Sequence, residues 1–162
     1  MVTIIAGPIN SGKTTRLSEI YETYDNGDGF VSLKIMEGRN VKGFDLMKLS
    51  TGETKAFIRK SNDLPEYWAE DCRLGPYSFS KKAVDWVESE IEEFIQKGKN
   101  PLFLDEIGLL ETGGKCFSKA VRRLVESGRD IYLSARDEFL KQIMEEFGLW
   151  DVEVIFTGER YA

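Results

Sequence analysis

Near its start the chain reads Val2-Thr3-Ile4-Ile5-Ala6, an apolar run, followed at once by Gly7-Pro8-Ile9-Asn10-Ser11-Gly12-Lys13-Thr14. The second segment fits G-x-x-x-x-G-K-[ST] in the context that gives the pattern meaning: strand, glycine-bounded loop, helix. Successive backbone N–H groups curling through such a loop make a concave anion nest that needs no side chain. Gly7 and Gly12 allow backbone conformations and approaches that a Cβ would block. A helix beginning near Lys13 adds unpaired N–H groups and the positive end of its dipole. In this pattern Lys13 reaches the β- and γ-phosphates of a nucleotide as a point charge, and the Thr14 hydroxyl ligates Mg²⁺. Thr15, in the first helical turn, is a weaker candidate for an α-phosphate contact. The whole segment from Gly7 to Thr15 is therefore the candidate nucleotide-binding loop.

The rest of the chain reads as an α/β domain. Leu17, Ile20, Tyr21 and Tyr24 recur at helical spacing behind the loop, and Phe30 to Ile35 reads as a second strand. Two short strand-like runs around Ser50-Thr51-Gly52-Glu53 predict a β-hairpin insertion near residues 39–59, placed beside a mainly parallel sheet. Residues 60–80, with Pro65, Gly75 and Pro76, read as loop. A long amphipathic helix carries Val84, Val87, Ile91, Phe94 and Ile95 on one face. Pro101 to Leu104 is a buried-strand run, 115–127 a helix, 131–133 a strand, 137–147 a helix and 152–156 a closing strand.

At 162 residues the length matches one domain spanning 1–162. The chain contains no histidine, which excludes His-based triads and zinc-histidine sites. Cys72 and Cys116 lack C-x-x-C spacing, so two idle thiols in a reducing, cytoplasmic setting is the expectation. A net charge of −6 argues against a nucleic-acid binder. No apolar run approaches the ~20 residues of a membrane helix, and neither a membrane partner nor secretion is indicated. Protein partners are not legible.

Phosphoryl chemistry also needs support for a metal and for the attacking group. Asp105-Glu106 follows the apolar run at the C-terminal end of a strand, where open α/β sheets bind ligands. Asp105 is the candidate for holding Mg²⁺ through a coordinated water. Glu106 is the candidate for orienting or deprotonating an attacking water. Glu111 reads as an exposed residue or an indirect support. The loops at Ser134-Ala135-Arg136 and Thr157-Gly158-Glu159-Arg160 are the candidate base pocket.

Taken together, Gly7 to Thr15, Gly43-Phe44-Asp45, Thr51-Gly52-Glu53, Arg73-Leu74-Gly75-Pro76-Tyr77 and Asp105-Glu106-Ile107-Gly108-Leu109-Leu110-Glu111, with Phe117 beyond, resemble the small cancer-related nucleoside-triphosphatase family of P-loop proteins. The resemblance spans about residues 2–125. It implies a RecA-like fold and Mg²⁺-dependent hydrolysis of ATP, GTP and other nucleoside triphosphates with loose base selectivity. Two departures stand out. Ile9 and Asn10 occupy positions where the family carries Pro-Gly, and Asn is the non-glycine residue that best tolerates positive φ. Lys34-Ile35-Met36-Glu37 stands where the family carries an acidic-Val-Arg segment. For a transition-state cation, Arg73 is the first choice because its Gly-Pro loop is placed to close over the site; Arg122, Arg123, Arg136 and Arg160 are the others.

Two rival readings remain. The loop also resembles that of cellular-type thymidine kinases, which makes a nucleoside or small-molecule kinase the main alternative, although two isolated cysteines cannot build those kinases' zinc ribbon. Asp105-Glu106-Ile107-Gly108 fits the D-x-x-G of a nucleotide-dependent binding switch, but the chain has no N-K-x-D. Leu49-Ser50-Thr51-Gly52-Glu53, which superficially matches a transporter-ATPase signature, reads as a turn.

Overall fold

In a computed structural model that describes residues 1–158, nine strands among these residues form one sheet. In chain order they are β1 (Val2–Gly7), β2 (Asp28–Glu37), β3 (Asn40–Lys48), β4 (Thr54–Lys60), β5 (Glu70–Leu74), β6 (Tyr77–Ser80), β7 (Leu102–Ile107), β8 (Ile131–Arg136) and β9 (Val152–Phe156). The helices are α1 (Lys13–Glu22), α2 (Lys81–Gln96), α3 (Leu109–Thr112), α4 (Ser118–Glu126) and α5 (Leu140–Phe147). Across the sheet the order is β5-β6-β4-β3-β2-β7-β8-β1-β9. From β2 to β9 neighbouring strands run parallel, while β3, β4, β6 and β5 extend the sheet in antiparallel pairs.

Both faces of the parallel half are covered, and the strands show it residue by residue. Ile4, Phe30, Leu102 and Leu104 pack into the larger core with Val84, Val87, Phe94, Val121, Leu124 and Ile143 from α2, α4 and α5. Their strand neighbours Ile5, Val31 and Phe103 point the other way, against Leu17 and Ile20 of α1. This is the period-two alternation of a strand, with both faces apolar because both are buried. Fully burying one such Leu, Ile or Phe stabilises by ~1.5–3 kcal/mol, so these rows fix the register of the strands that end at the site. No described helix is long and apolar enough to cross a membrane.

The expected hairpin exists, but it is not a structure beside the sheet. β3 pairs with β2 from Phe30↔Lys48 to Glu37↔Asn40, so the β3–β4 hairpin continues the main sheet, and β6 and β5 add to it. The signal for this is Gly38, which with Arg39 forms a two-residue turn at φ 61 joining β2 to β3. The stretch 60–80, expected to be loop, contains a second such turn: Gly75-Pro76, with Gly75 at φ 56 between paired Leu74 and Tyr77. The helix expected over 115–127 begins at Ser118, after Gly113, Gly114 and a left-handed Cys116 at φ 54. The segment expected as a helix from Asp137 opens with a 3₁₀ turn over Asp137–Phe139.

Gly43 shows why the antiparallel arm tolerates so little change. A Cβ there would collide with the Ile58 carbonyl of β4 and press on the Arg59 side chain at 3.0 Å. Arg59 in turn donates to the Phe44 carbonyl at 3.0 Å and pairs with Asp45 at 2.6 Å. Gly43→Ala is expected to destabilise the protein by ~1–3 kcal/mol, the range for forcing extra volume into a packed position. A urea midpoint unchanged from the parent would contradict this close approach.

Candidate active site

The loop between β1 and α1 has the conformation its sequence demands. Gly12 sits at φ 88 immediately before α1, and Asn10 at φ 59 takes the left-handed geometry that its side chain tolerates. Gly7 has no room for a Cβ, which would meet the Thr157 and Ser11 side chains. Thr157, just past β9, closes the loop from behind: its N–H donates to the Ala6 carbonyl at 2.9 Å, and its hydroxyl lies 2.7 Å from that of Ser11. No side chain caps α1, and Lys13, Thr14 and Thr15 of its first turn line a cavity of about 560 Å³. Lys13 is buried, and its Nζ donates to the Pro8 carbonyl at 2.8 Å.

Asp105, at the end of β7, has no solvent exposure and is held by three donors from three elements. The Thr14 hydroxyl donates to Oδ2 at 2.7 Å, the Ser32 N–H donates to the same oxygen at 3.0 Å, and the Ser134 hydroxyl donates to Oδ1. Burial pushes its carboxyl above the usual range, and these three bonds pull the other way. Ser134 thus serves Asp105; its oxygen also accepts from the Glu106 N–H at 2.8 Å. Of the other residues expected around the base, Glu159 and Arg160 lie outside the described residues.

Glu106 is delivered by a backbone irregularity. The β7–β8 register shifts between Leu104 and Ile107, and Glu106 adopts φ 60. A bulge of this kind re-aims a side chain, and a left-handed non-glycine residue at a site is strain held in place by its surroundings. The result is that Asp105 stays buried while Glu106, next in sequence, reaches the cavity and water. Desolvation, followed by the charge of Asp105, raises the Glu106 carboxyl above its ordinary 4.5; Lys13, Arg136 and Lys34 oppose the rise.

Glu111 proves to be buried. Its two oxygens accept from the Gly108 N–H at 2.7 Å and the Phe117 N–H at 3.0 Å, so one carboxylate fixes the turn that follows Glu106. Burial raises its carboxyl as well, against those same bonds.

The cations fall differently from expectation. Arg73 lies on β5, pairs with Glu70 at 2.8 Å and does not line the cavity. Arg122 and Arg123 pair with Glu146 and Glu92 on α5 and α2. Among the described residues, the cavity's basic side chains besides Lys13 are Arg136 and Lys34. Lys34 Nζ donates to Asn10 Oδ1 at 2.7 Å, so the asparagine at the departing loop position holds a cation over the loop. The only sequence signal for Lys34 was its place in the segment where an arginine was expected. Beyond Glu106 the cavity continues as an apolar lobe between Phe44, Phe57, Tyr77 and Phe79 on one wall and Leu109 and Leu110 on the other.

Comparison with known proteins follows the same outline. Curated relatives named nucleoside-triphosphatase THEP1 include that of Thermotoga maritima, 27% identical over 146 residues covering 88% of this chain and 80% of the relative. That of Pyrobaculum islandicum is 27% identical over 110 residues, 66% of this chain and 58% of the relative. Among solved structures, THEP1 from Aquifex aeolicus superposes with a TM-score of 0.70 at 21% identity, covering 99% of this chain and 91% of that one. A human cancer-related nucleoside triphosphatase gives 0.66 at 23% identity, covering 97% and 88%. The sheet and its helices thus match the fold of those P-loop proteins. With the NTPase family model matching residues 2–156, the chain belongs to the NTPase family.

Proposed function

We propose that the protein hydrolyses the γ-phosphate of ATP, GTP and other nucleoside triphosphates with Mg²⁺ as cofactor. The observation that carries this reading is the 2.7 Å hydrogen bond between Thr14 and Asp105, which unites the phosphate loop with the acidic strand end at one point. The residues present suit Mg²⁺. Thr14 and Asp105 offer two hard oxygens, and no cluster of three or more His, Cys, Asp or Glu ligands occurs among the described residues. An ion that takes one or two protein oxygens and completes its shell with phosphate and water needs no more. Bound there, it would neutralise charge on the β- and γ-phosphates.

The chain's own groups supply the remaining work. The amides of the loop and of α1 cradle the phosphates, and Lys13 exchanges the Pro8 carbonyl for phosphate oxygens. Glu106 accepts a proton from the attacking water, and its raised affinity for protons suits a base. Lys34 and Arg136, on the cavity wall, are the cations placed to meet charge developing on the transferred group, a contribution worth ~10³–10⁵ in rate where such a group engages fully. Arg73 would have to leave Glu70 to take part.

A second reading is favoured by the apolar lobe. In sheet order, β1 carries the loop, β7 the carboxylates, and β2, β3, β4 and β6 lie beyond them. The lobe therefore sits past the γ-phosphate end, where an acceptor alcohol would approach in place of water. Phosphate release from ATP, GTP, CTP and UTP, with and without Mg²⁺ and with and without nucleosides, separates the two. Mg²⁺-dependent free phosphate from all four without an acceptor is expected; release only with a nucleoside, as its phosphate ester, would make the protein a kinase.

Glu106→Gln is expected to spare nucleotide affinity and cut turnover by ~10²–10⁴. Because the Glu106 carboxyl is raised, parental turnover should fall in acid with a midpoint above 4.5, and that limb should vanish in the variant. Parallel loss of binding and rate would instead make Glu106 a structural residue.

Asp105→Asn separates function from stability. The folded carboxyl is raised, so the stability it contributes is complete below its unfolded pKa and is lost as pH rises through the folded value. Asparagine keeps acceptors for Thr14 and Ser32 without the buried charge. The variant should unfold at a higher temperature than the parent at neutral pH, with the gap closing in acid, while turnover is lost. A lower neutral Tm would show that the ionised carboxylate is net stabilising.

A further inference from the structure

Lys34 reaches the phosphate loop from a strand that the site has already fixed. On β2 the Ser32 N–H is committed to Asp105 at 3.0 Å, and Lys34 follows two residues later on the same face of the strand. Both residues line the cavity. The pairing of β2 with β7 ends at Phe30↔Leu104, whereas its pairing with β3 continues through Lys34↔Phe44. In the sheet, β7 and β8 lie between β2 and β1. The 2.7 Å bond from Lys34 Nζ to Asn10 Oδ1 therefore joins β2 to the loop after β1 across the end of β7, where Asp105 and Glu106 stand.

This bond does little for the fold. Both residues are exposed, and a hydrogen bond between solvated groups exchanges one set of partners for another with small net gain. Its effect is positional: an ammonium on a long flexible stem is confined to the mouth of the loop. Asn10 stands at φ 59, a conformation that glycine takes without the cost of a Cβ. The carboxamide is what asparagine adds at this point of the loop. An ammonium carries three N–H donors and no acceptor, so the bond to Asn10 leaves donors free for phosphate oxygens. The other cavity cations are placed differently. Lys13 is buried on the Pro8 carbonyl, and Arg136 is in register with Gly7 at the start of the loop and lies 3.6 Å from Glu138.

We propose that Lys34 is the cation that engages the γ-phosphoryl group during transfer, and that Asn10 is the residue that positions it. The assignment rests on the triphosphatase reading and distinguishes between the two rim cations named there. As the water oxygen bonds to the γ-phosphorus, the bond from phosphorus to the β–γ bridging oxygen breaks, and its electron pair leaves on the nucleoside diphosphate. One water proton passes to Glu106 and is then released; the other stays on the inorganic phosphate. The free N–H donors of Lys34 meet the oxygens on which charge grows in this step. Such donors accelerate the reaction because they are already in place when the charge develops. Asn10 supplies that preorganisation and touches no reacting atom.

Turnover is measured on the full chain and on Lys34→Ala, Asn10→Gly and the double variant, together with calorimetric affinities for ADP and for ADP with aluminium fluoride, a mimic of the transferring phosphoryl group. Lys34→Ala should lose ~10²-fold in kcat, the scale for removing one donor of this kind. Asn10→Gly keeps the backbone conformation of the loop and should lose ~10-fold, within the ~10²-fold that a 1 Å misplacement can cost. The double variant should match Lys34→Ala, because Asn10 acts only through the lysine. ADP affinity should hold in all three, while affinity for ADP with aluminium fluoride falls in step with kcat. Losses that multiply in the double variant, or weaker ADP binding by Asn10→Gly, would make Asn10 a structural part of the loop and overturn its positioning role. Parental kcat in Lys34→Ala would overturn the assignment outright. If the parent itself releases no phosphate, the triphosphatase reading fails, and the contrast between ADP and ADP with aluminium fluoride still judges the pair.

Discussion

A carboxylate without solvent exposure, Asp105, ties together elements that the chain produces at three widely separated points. Thr14 reaches it from the start of α1, the Ser32 N–H from β2 and Ser134 from β8. An unpaired charge at this depth would cost several kcal/mol. Each donor is therefore as much a condition of the fold as of the chemistry. Ser134 extends the arrangement by accepting from the Glu106 N–H, so the residue proposed to handle water is anchored through the same hydroxyl. Displacing any one of these elements would disturb the others.

The phosphate loop and the Asp105-Glu106 pair were legible because their chemistry is written in contiguous residues with steric requirements: Gly12 at φ 88 and Asn10 at φ 59 sit where the pattern needs them. Strand cores and long helices were legible for a similar reason, since Leu102 to Leu104 and the Val84-to-Ile95 stripe declare their periods locally. What escaped was set by pairing at a distance. β5 is short and mostly exposed, and β6 spans only four residues, too few to declare a strand, so only the Gly75-Pro76 turn marks them. The hairpin of β3 and β4 was visible, but its junction with the main sheet hung on Gly38.

Glu111 and the cations illustrate the same division. Nothing local distinguishes a Glu that accepts two backbone N–H bonds in the interior from one on a solvated helix, and three-dimensional closure of the 108–117 turn decides the matter. Arg73 was favoured by the loop it sits in, yet strand pairing turns it toward Glu70, whereas Lys34 is brought over the loop by Asn10. The blocks that carried the family resemblance now have physical content: Gly43 admits β4, Asp45 holds Arg59, and Leu74 and Tyr77 line the cavity on either side of their turn.

Lys13 carries a consequence for how a ligand is met. Lys13 is buried, 4% exposed as a residue, and its ammonium already rests on the Pro8 carbonyl, so much of its hydration shell was stripped when the chain folded. An incoming anion swaps one neutral oxygen for charged ones and removes little further water from the lysine. Shielded charges are screened far less than surface ones. Capture at this lysine should thus tolerate rising ionic strength better than the two rim cations, whose pull on an approaching polyanion fades as electrolyte accumulates.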